Sequence, residues 1–152
     1  MTKEKKISEL IKNKKLCAID FGLKRVGMAT CDPMHVTVSP KYAFFFQEDN
    51  FWDELLKAIE IESPALIVLG MPYRNGTEES DIVEEIKRFR ETLERKTGLK
   101  VIYHDESYTS KLAVATMIET KMKKKRRQQK ENIDKFSAAI ILRDFLEDYP
   151  AG

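Results

Sequence analysis

The spacing of apolar residues changes near residue 50, and the two sides of that change predict different elements. Before it, short apolar runs over 16–20 and 26–31 are bounded by polar turn residues, which is typical of buried strands. A third run over 36–46 is rich in β-branched and aromatic residues, and its interruption by Pro40 favours a strand near the sheet edge. Three strands with such short connections predict an antiparallel meander.

After residue 50 the pattern alternates between helical spacing and continuous apolar runs. Apolar residues three or four apart predict amphipathic helices, and unbroken apolar runs predict central strands covered on both faces. The predicted helices span 51–62, 80–96, 109–120 and 132–149, and the predicted strands span 65–70 and 99–104. The whole pattern predicts an α/β fold with a mixed five-stranded sheet flanked by helices, in which two parallel strands follow the meander.

The size and composition of the chain fit one soluble domain. It has 152 residues, 42% hydrophobic and 34% charged, without repeats or Pro/Gly/Ser-rich linkers, so we expect a single domain over 1–152. No run of about 18 apolar residues is present, which excludes a membrane span, and the Lys-rich N-terminus lacks the apolar core of a secretory signal. Cys17 and Cys31 make no disulfide framework, so we expect a cytoplasmic protein.

The net charge of +2 conceals two basic segments on an acidic body. Residues 121–130 carry seven basic groups and no acid, and residues 1–15 carry six lysines against two glutamates, which leaves a net charge of −9 elsewhere. This asymmetry favours a polyanionic partner. A charge run such as that of residues 1–15 more often forms a solvated, mobile segment, and this is the interpretation we adopt for it.

Four acidic residues stand where an α/β sheet can carry chemistry, and each also has a structural interpretation. Asp20 ends the first predicted strand, where open α/β sheets bind ligands, although Asp also makes ordinary turns. Asp105 and Glu106 follow the fifth strand and precede a helix, where carboxylates also complement the helix dipole. Asp134 could simply cap the last helix, but the small residues over 137–139 would let that helix approach the sheet.

Carboxylates that converge at one edge of a sheet repel one another, and hard divalent cations relieve that repulsion. A pair of Mg²⁺ or Mn²⁺ ions held by acids can activate water and stabilise the leaving oxygen in phosphodiester cleavage. The sequence has no Walker loop, no nucleophile elbow and no Cys–His pair at a recognisable spacing. We therefore predict a metal-dependent centre built from these acids.

Four short segments, taken in order along the chain, form a recognisable series. They are D-F-G-L-K-R-V-G-M-A at 20–29, L-G-M-P-Y-R-N-G-T-E at 69–78, Y-H-D-E-S-Y-T-S at 103–110 and I-D-K-F-S-A-A-I-I-L at 133–142. Together they resemble the RuvX/YqgF family, over nearly the whole chain. Members of that family are named as pre-16S rRNA nucleases or Holliday junction resolvases and have a ribonuclease H-like fold. The resemblance implies a metal-dependent nuclease that acts on structured nucleic acid.

The resemblance also implies roles for individual residues. Asp20 matches the family's first-strand acid, Glu106 its second acid and Asp134 its last-helix acid. These three would be the catalytic residues and the ligands of two Mg²⁺ or Mn²⁺ ions, with Asp105 as the reserve for the second position. Arg25 matches the arginine of the first motif and would contact the scissile phosphate. The implied partner is nucleic acid, either a ribosomal RNA precursor or branched DNA.

Two departures from the family pattern affect substrate contacts and leave the acids untouched. Ser107 stands where members commonly have arginine, and we interpret the loop over 72–76 as one residue shorter than usual. Arg74 in that loop would supply the missing positive charge. The basic run before Asp134 would lie along a substrate backbone and, lacking aromatic residues, would bind phosphates without reading sequence. Its members are Lys123, Lys124, Lys125, Arg126 and Arg127.

Three other interpretations stand beside the processing of pre-16S rRNA ends. Resolution of a four-way DNA junction uses the same chemistry and would require a symmetric homodimer. A non-catalytic nucleic-acid-binding factor would keep the basic segments without metal, but the presence of all three acids disfavours it. An ATP-binding protein of the actin, sugar-kinase and chaperone type has a phosphate loop similar to D-F-G-L, but it needs two such domains and 152 residues supply one.

Overall fold

The computed structural model of the chain describes residues 2–72, 81–105 and 130–150, and for residues 81 and 130–133 it describes the backbone alone. The helices are α1 (Lys3–Ile11), α2 (Phe51–Glu62), α3 (Asp81–Thr97) and α4 (Lys130–Asp148), and the strands are β1 (Cys17–Phe21), β2 (Arg25–Cys31), β3 (Val38–Phe45), β4 (Ile67–Met71) and β5 (Val101–Asp105). The helix predicted over 109–120 lies outside these ranges. None of the described helices combines the length and the apolar character needed to cross a membrane.

The five strands form one mixed sheet in the order β3-β2-β1-β4-β5. β2 pairs antiparallel with β1 and β3, and β4 pairs parallel with β1 and β5. The predicted meander followed by two parallel strands is therefore confirmed, with strand ends shifted by one or two residues. Because β1, β4 and β5 run in the same direction, their carboxyl ends meet at one edge of the sheet, where open α/β sheets bind ligands.

β3 forms one edge of the sheet, as Pro40 predicted. Met28 and Ala29 are neighbours on β2, but their partners on β3 are Tyr42 and Pro40, so Lys41 is an extra residue in the edge strand. Such a bulge bends the strand locally and suits a residue that lacks an amide hydrogen. The edge position therefore accommodates a proline that a central strand would not.

The two faces of the sheet carry different residues because side chains alternate along each strand. On one face, Cys17, Ile19 and Phe21 of β1 join a core formed with α2 and α3. On the other face, Ala18 joins a second core formed with α1 and α4. We call these the α2–α3 face and the α4 face.

Residues 2–15 do not form the solvated segment that the charge of residues 1–15 predicted. The hydroxyl of Thr2 accepts a hydrogen bond of 3.1 Å from the amide of Lys5 and caps the start of α1. Ile7 and Ile11, one helical turn apart, are buried in the core of the α4 face. The prediction was wrong because the segment has six lysines, whereas its buried apolar stripe consists of only these two residues.

Both cysteines are buried and carry free thiols. Burial raises the pKa of Cys17 to about 12, and burial also raises the pKa of Cys31. The two thiols are therefore protonated core groups at neutral pH.

Candidate active site

Asp20 lies near the carboxyl end of β1, the central strand of the sheet. Its neighbours Ile19 and Phe21 belong to the α2–α3 face, so the alternation of the strand places Asp20 on the α4 face with Ala18. Asp20 is half-buried, whereas the other four residues of β1 are buried. The structure thus places this acid at the edge where the three parallel strands end.

Gly27 of β2 is the point at which α4 meets the sheet. It pairs with Asp20 across the β1–β2 ladder. A methyl group built on Gly27 would overlap the backbone carbonyl of Asp134 and would lie 3.1 Å from its Cβ, so no larger residue permits this approach. Because Asp134 passes directly over the cross-strand partner of Asp20, the structure brings these two predicted acids together.

The small residues that follow Asp134 keep α4 close to the sheet along its next turn. Ser137 and Ala138 are completely buried, and Ala138 and Ala139 pack against Ala29 of β2. Short side chains on both elements let the helix axis approach the strands. The interpretation of residues 137–139 as a close-packing segment is confirmed, and this packing carries Asp134 to the site.

Arg25 of β2 joins the acids through an ion pair. Its Nε donates a hydrogen bond of 2.9 Å to Oδ2 of Asp134, across 109 positions of sequence. Arg25 and Gly27 are two residues apart on one strand and therefore share the α4 face. The side chains of Arg25 and Asp134 are 24% and 21% exposed. The family resemblance implied that Arg25 contacts a substrate phosphate, and this partner was missed because no local pattern relates residues so distant in the chain.

Of the two candidates for the second acid, only Asp105 lies within the described residues. Asp105, the last residue of β5, is in register with Met71, which is buried on the α2–α3 face. The alternation of β5 places Asp105 on that face, away from Asp20 and Asp134. The reserve candidate thus does not share a face with the other two acids, and Glu106 lies outside the described residues.

His104 adjoins these acids in sequence but has a structural partner. Its Nε2 is 2.9 Å from Oδ2 of Asp144 on α4. Its ring meets that of Phe145 edge to face, with the ring centroids 5.9 Å apart. This histidine is therefore held by α4 through both a polar contact and an aromatic contact.

Seven of the predicted site residues lie outside the described ranges. They are Glu106, Arg74, Lys123, Lys124, Lys125, Arg126 and Arg127. The structural evidence on the site therefore concerns Asp20, Asp134 and Arg25.

The described part of the site offers two carboxylates and one guanidinium. Within the described ranges, no three His, Cys, Asp or Glu side chains form a group that could hold a metal ion. The carboxylates of Asp20 and Asp134 are nevertheless oxygen donors of the kind that Mg²⁺ and Mn²⁺ prefer, on one face and at one edge of the sheet. The donor chemistry of these two carboxylates therefore fits a hard divalent cation.

Comparison with known proteins identifies the family of the chain. The family model described as RuvX, Holliday junction resolvase, matches residues 14–148. The chain belongs to the RuvX family. It is 39% identical over 137 residues to a protein of Amoebophilus asiaticus named "Putative pre-16S rRNA nuclease", a match that covers 89% of this chain and 95% of that relative. A relative of the same name from Bacteroides fragilis is 35% identical over 134 residues, or 88% of this chain and 96% of the relative.

A solved structure shares the fold of this RuvX-family chain. RuvC of T. thermophilus, in complex with a Holliday junction substrate, superposes with a TM-score of 0.51 at 12% sequence identity. The superposition covers 88% of this chain and 94% of the RuvC chain. The predicted ribonuclease H-like architecture of the RuvX-family chain is therefore confirmed.

Proposed function

We propose that this RuvX-family protein is a metal-dependent nuclease that cleaves phosphodiester bonds in structured RNA, and that its substrate is the ends of pre-16S rRNA. The observation that carries the proposal is the approach of Asp134 to Asp20 over Gly27. Carboxylates that share one face and one edge of a sheet repel one another, and a divalent cation relieves that repulsion. Converging acids of this kind are typical of sites that bind cations or perform chemistry.

Asp20, Asp134 and Glu106 are the proposed catalytic residues and the proposed ligands of Mg²⁺ or Mn²⁺, with two ions in the site. Bound there, the ions supply an activated water molecule and stabilise the leaving oxygen. β1 and α4 hold Asp20 and Asp134 on packed elements, which keeps the two carboxylates in place before substrate arrives. Glu106 takes the second position because the neighbouring Asp105 lies on the opposite face of the sheet.

The proposed contacts with nucleic acid come from three places in the chain. Arg25 lies at the acids on the α4 face, and Arg74 belongs to the loop after β4. The basic run over 123–127 precedes Asp134 by a few residues and carries five positive charges. Lysine and arginine side chains bind the phosphates of nucleic acid, and the release of counterions provides the affinity. Such contacts do not distinguish between bases.

The choice of substrate rests on the named relatives. Proteins 39% and 35% identical to this chain over most of their length carry the name pre-16S rRNA nuclease. Processing of ribosomal RNA would place the protein in the cytoplasm. The family model, in contrast, is described as a Holliday junction resolvase, so resolution of branched DNA is the second candidate. That activity would require a symmetric homodimer that presents two sites to one junction.

The deciding experiment measures cleavage of labelled structured RNA in the presence of Mg²⁺ or Mn²⁺, beside single-stranded RNA and a four-way DNA junction. We expect metal-dependent cleavage of the structured RNA by the wild type. Asp20→Asn and Asp134→Asn should each reduce the rate by at least about 100-fold, because each removes a charged ligand while keeping its size. Preferential cleavage of the DNA junction would select the second candidate.

Asp144→Asn is the matched control for this experiment. Asp144 also lies on α4, but it is 61% exposed and contacts His104 instead of the acids. We expect this variant to cleave at a rate within about twofold of the wild type, as is usual for exposed surface groups. Wild-type protein that binds RNA and never cleaves it with either metal would contradict the nuclease and favour a non-catalytic binding factor.

A further inference from the structure

The ion pair between Arg25 and Asp134 places a permanent cation on one of the proposed metal ligands. Nε of Arg25 lies 2.9 Å from Oδ2 of Asp134, and both side chains are more than three-quarters buried. A guanidinium does not lose its proton at any physiological pH, so this cation cannot be neutralised in place. Partial burial also strengthens its attraction to the carboxylate relative to an exposed pair.

The surrounding geometry makes Arg25 a counter-charge for both acids of the site. Asp20 is the cross-strand partner of Gly27, which stands two residues from Arg25 on the same face of β2. Diagonal neighbours of this kind on one face of an antiparallel pair lie about 7–8 Å apart, within reach of long side chains. Because Gly27 has no side chain, Asp134 can lie close to Asp20. The guanidinium therefore reduces the electrostatic repulsion between these two carboxylates.

We propose that Arg25 is a positioning residue that holds Asp134 at the sheet edge in the metal-free protein and releases it when the acids hold a divalent cation. The guanidinium and a dication compete for the same carboxylate, because two positive charges within a few ångströms repel one another. Released from Asp134, the planar guanidinium is free to form a bidentate contact with a phosphate of the substrate. This proposal rests on the nuclease function proposed above, and it adds an exchange of partners by Arg25.

The exchange can be observed directly by nuclear magnetic resonance, without any substrate. The Nε–Hε signal of Arg25 should show a hydrogen-bonded environment in the metal-free protein and should move to the position of a free guanidinium as Mg²⁺ is added. In Asp134→Ala, which lacks the accepting oxygen, the same signal should start near the free position. A signal that stays hydrogen-bonded at saturating Mg²⁺ would overturn the proposal.

Calorimetric titration with Mg²⁺ provides the second measurement. Removal of the competing cation in Arg25→Gln should tighten Mg²⁺ binding by about 3- to 10-fold, the factor expected for one partly buried ion pair. Arg25→Lys keeps the competing charge and should bind Mg²⁺ within about threefold of the wild type. Lys24→Gln is the matched control, because Lys24 is the exposed neighbour of Arg25 and its loss changes the net charge equally.

The outcomes separate this proposal from the proposed function. Weaker Mg²⁺ binding by Arg25→Gln, or an effect equal to that of Lys24→Gln, would show that Arg25 supports the site without competing for it, and would overturn the exchange. Release of the Arg25 signal by Mg²⁺ in a protein that cleaves no nucleic acid would support the exchange and contradict the nuclease. Failure of the wild type to bind either Mg²⁺ or Mn²⁺ would overturn both.

Discussion

Glu62 ties three parts of the fold together through one buried carboxylate. It is the last residue of α2, and its side chain is 4% exposed. Lys15, just before β1, and Lys41, the extra residue of β3, place their ammonium groups 2.5 and 3.1 Å from Oε1. The hydroxyl of Tyr42 donates a hydrogen bond of 2.6 Å to Oε2. The charge is thus compensated by donors from β3 and from the segment before β1, as a buried carboxylate requires.

These contacts shift the pKa values of the group and of its tyrosine partner. Burial by itself acts to raise the pKa of Glu62, but hydrogen bonds from Lys15, Tyr42 and Lys41 outweigh it and lower the pKa to about 2. The hydrogen bond to Glu62, together with burial, raises the pKa of Tyr42 to about 12. The cluster is therefore ionised at the carboxylate and protonated at the phenol throughout the neutral range.

The lowered pKa of Glu62 predicts a specific loss of stability in acid. A carboxyl group whose folded-state pKa lies near 2 stabilises the fold above its unfolded value of 4.5, and that stability is lost as the pH falls from 4.5 towards 2. Glu62→Gln should lower the free energy of unfolding at pH 7 by about 2–3 kcal/mol. The difference from the wild type, measured by urea unfolding, should shrink steadily below pH 4.5.

Glu60→Gln is the control for this prediction, because Glu60 is an exposed residue of the same helix. Its stability should differ from that of the wild type by less than about 0.5 kcal/mol at every pH. A difference between wild type and Glu62→Gln that stays constant from pH 7 to pH 3 would contradict the assigned role of the carboxylate.

Contacts between elements, more than any single side chain, decide where the acids of the site lie. α4 packs against the sheet along small residues, and Gly27 of β2 accepts the backbone of Asp134 at the start of that contact. α1 completes the core of the α4 face at the opposite end of β1, through Ile7 and Ile11. α1 and α4 thus pack on the same face of the sheet, α4 at the edge that carries the acids and α1 at the opposite edge.

Gly27→Ala is predicted to move the start of α4 away from the sheet. The added methyl group would overlap the carbonyl of Asp134, and backbone atoms cannot give way as a flexible side chain can. We expect a loss of about 1–3 kcal/mol in the free energy of unfolding, the usual cost of overpacking. Cleavage of structured RNA should fall by about 100-fold, because a displacement of about 1 Å is enough to uncouple reacting groups.

Gly98→Ala provides the matched glycine control. Gly98 follows α3 with a φ of +71° and has no atom near the position of an added methyl group, so its replacement costs only backbone strain of about 1 kcal/mol. This variant should be less stable than the wild type but should cleave at the wild-type rate. Equal activity losses in Gly27→Ala and Gly98→Ala would indicate that instability, and not the position of Asp134, explains them.

At the scale of the whole molecule, the two basic segments adjoin different elements of the fold. The lysines of residues 1–15 lie on and beside α1, which leads into the amino end of β1, whereas Asp20 lies near its carboxyl end. The basic run over 123–127 instead precedes α4, whose first turns carry Asp134. We therefore expect the basic run, more than α1, to contribute to the binding of nucleic acid.

The salt dependence of nucleic-acid binding tests this expectation. Replacement of Lys123, Lys124 and Lys125 by glutamine should reduce the slope of log affinity against log salt by about 2, since each phosphate contact contributes about 0.7–0.9. The same charge change at Lys3, Lys5 and Lys6 of α1 should alter the slope by less than about 1. Equal effects of the two triple variants would show that both basic segments contribute to the binding of nucleic acid.

Local sequence pattern predicted most of the elements of this molecule and singled out residues of its candidate site. Period-two and period-3.6 spacing located all five strands and the helices α2 and α3 to within about two residues, because neighbouring residues alone decide which side of an element is apolar. Asp20 and Asp134 could be singled out individually, one at a strand end and one near a helix start. The error was α1, which was predicted as a solvated segment and is instead a helix packed on the sheet, because its two buried isoleucines were outnumbered by lysines.

The sequence by itself determined the order and type of every described element except α1, together with the family and the identity of the candidate acids. The tertiary structure decided which groups meet: Asp134 over Gly27, Arg25 with Asp134, and Glu62 with Lys15 and Lys41. These pairs are separated by 21 to 109 positions, beyond the range of any helical or strand period. The physical reason is that such contacts form only when packed helices and paired strands close the distance between segments that share no local pattern.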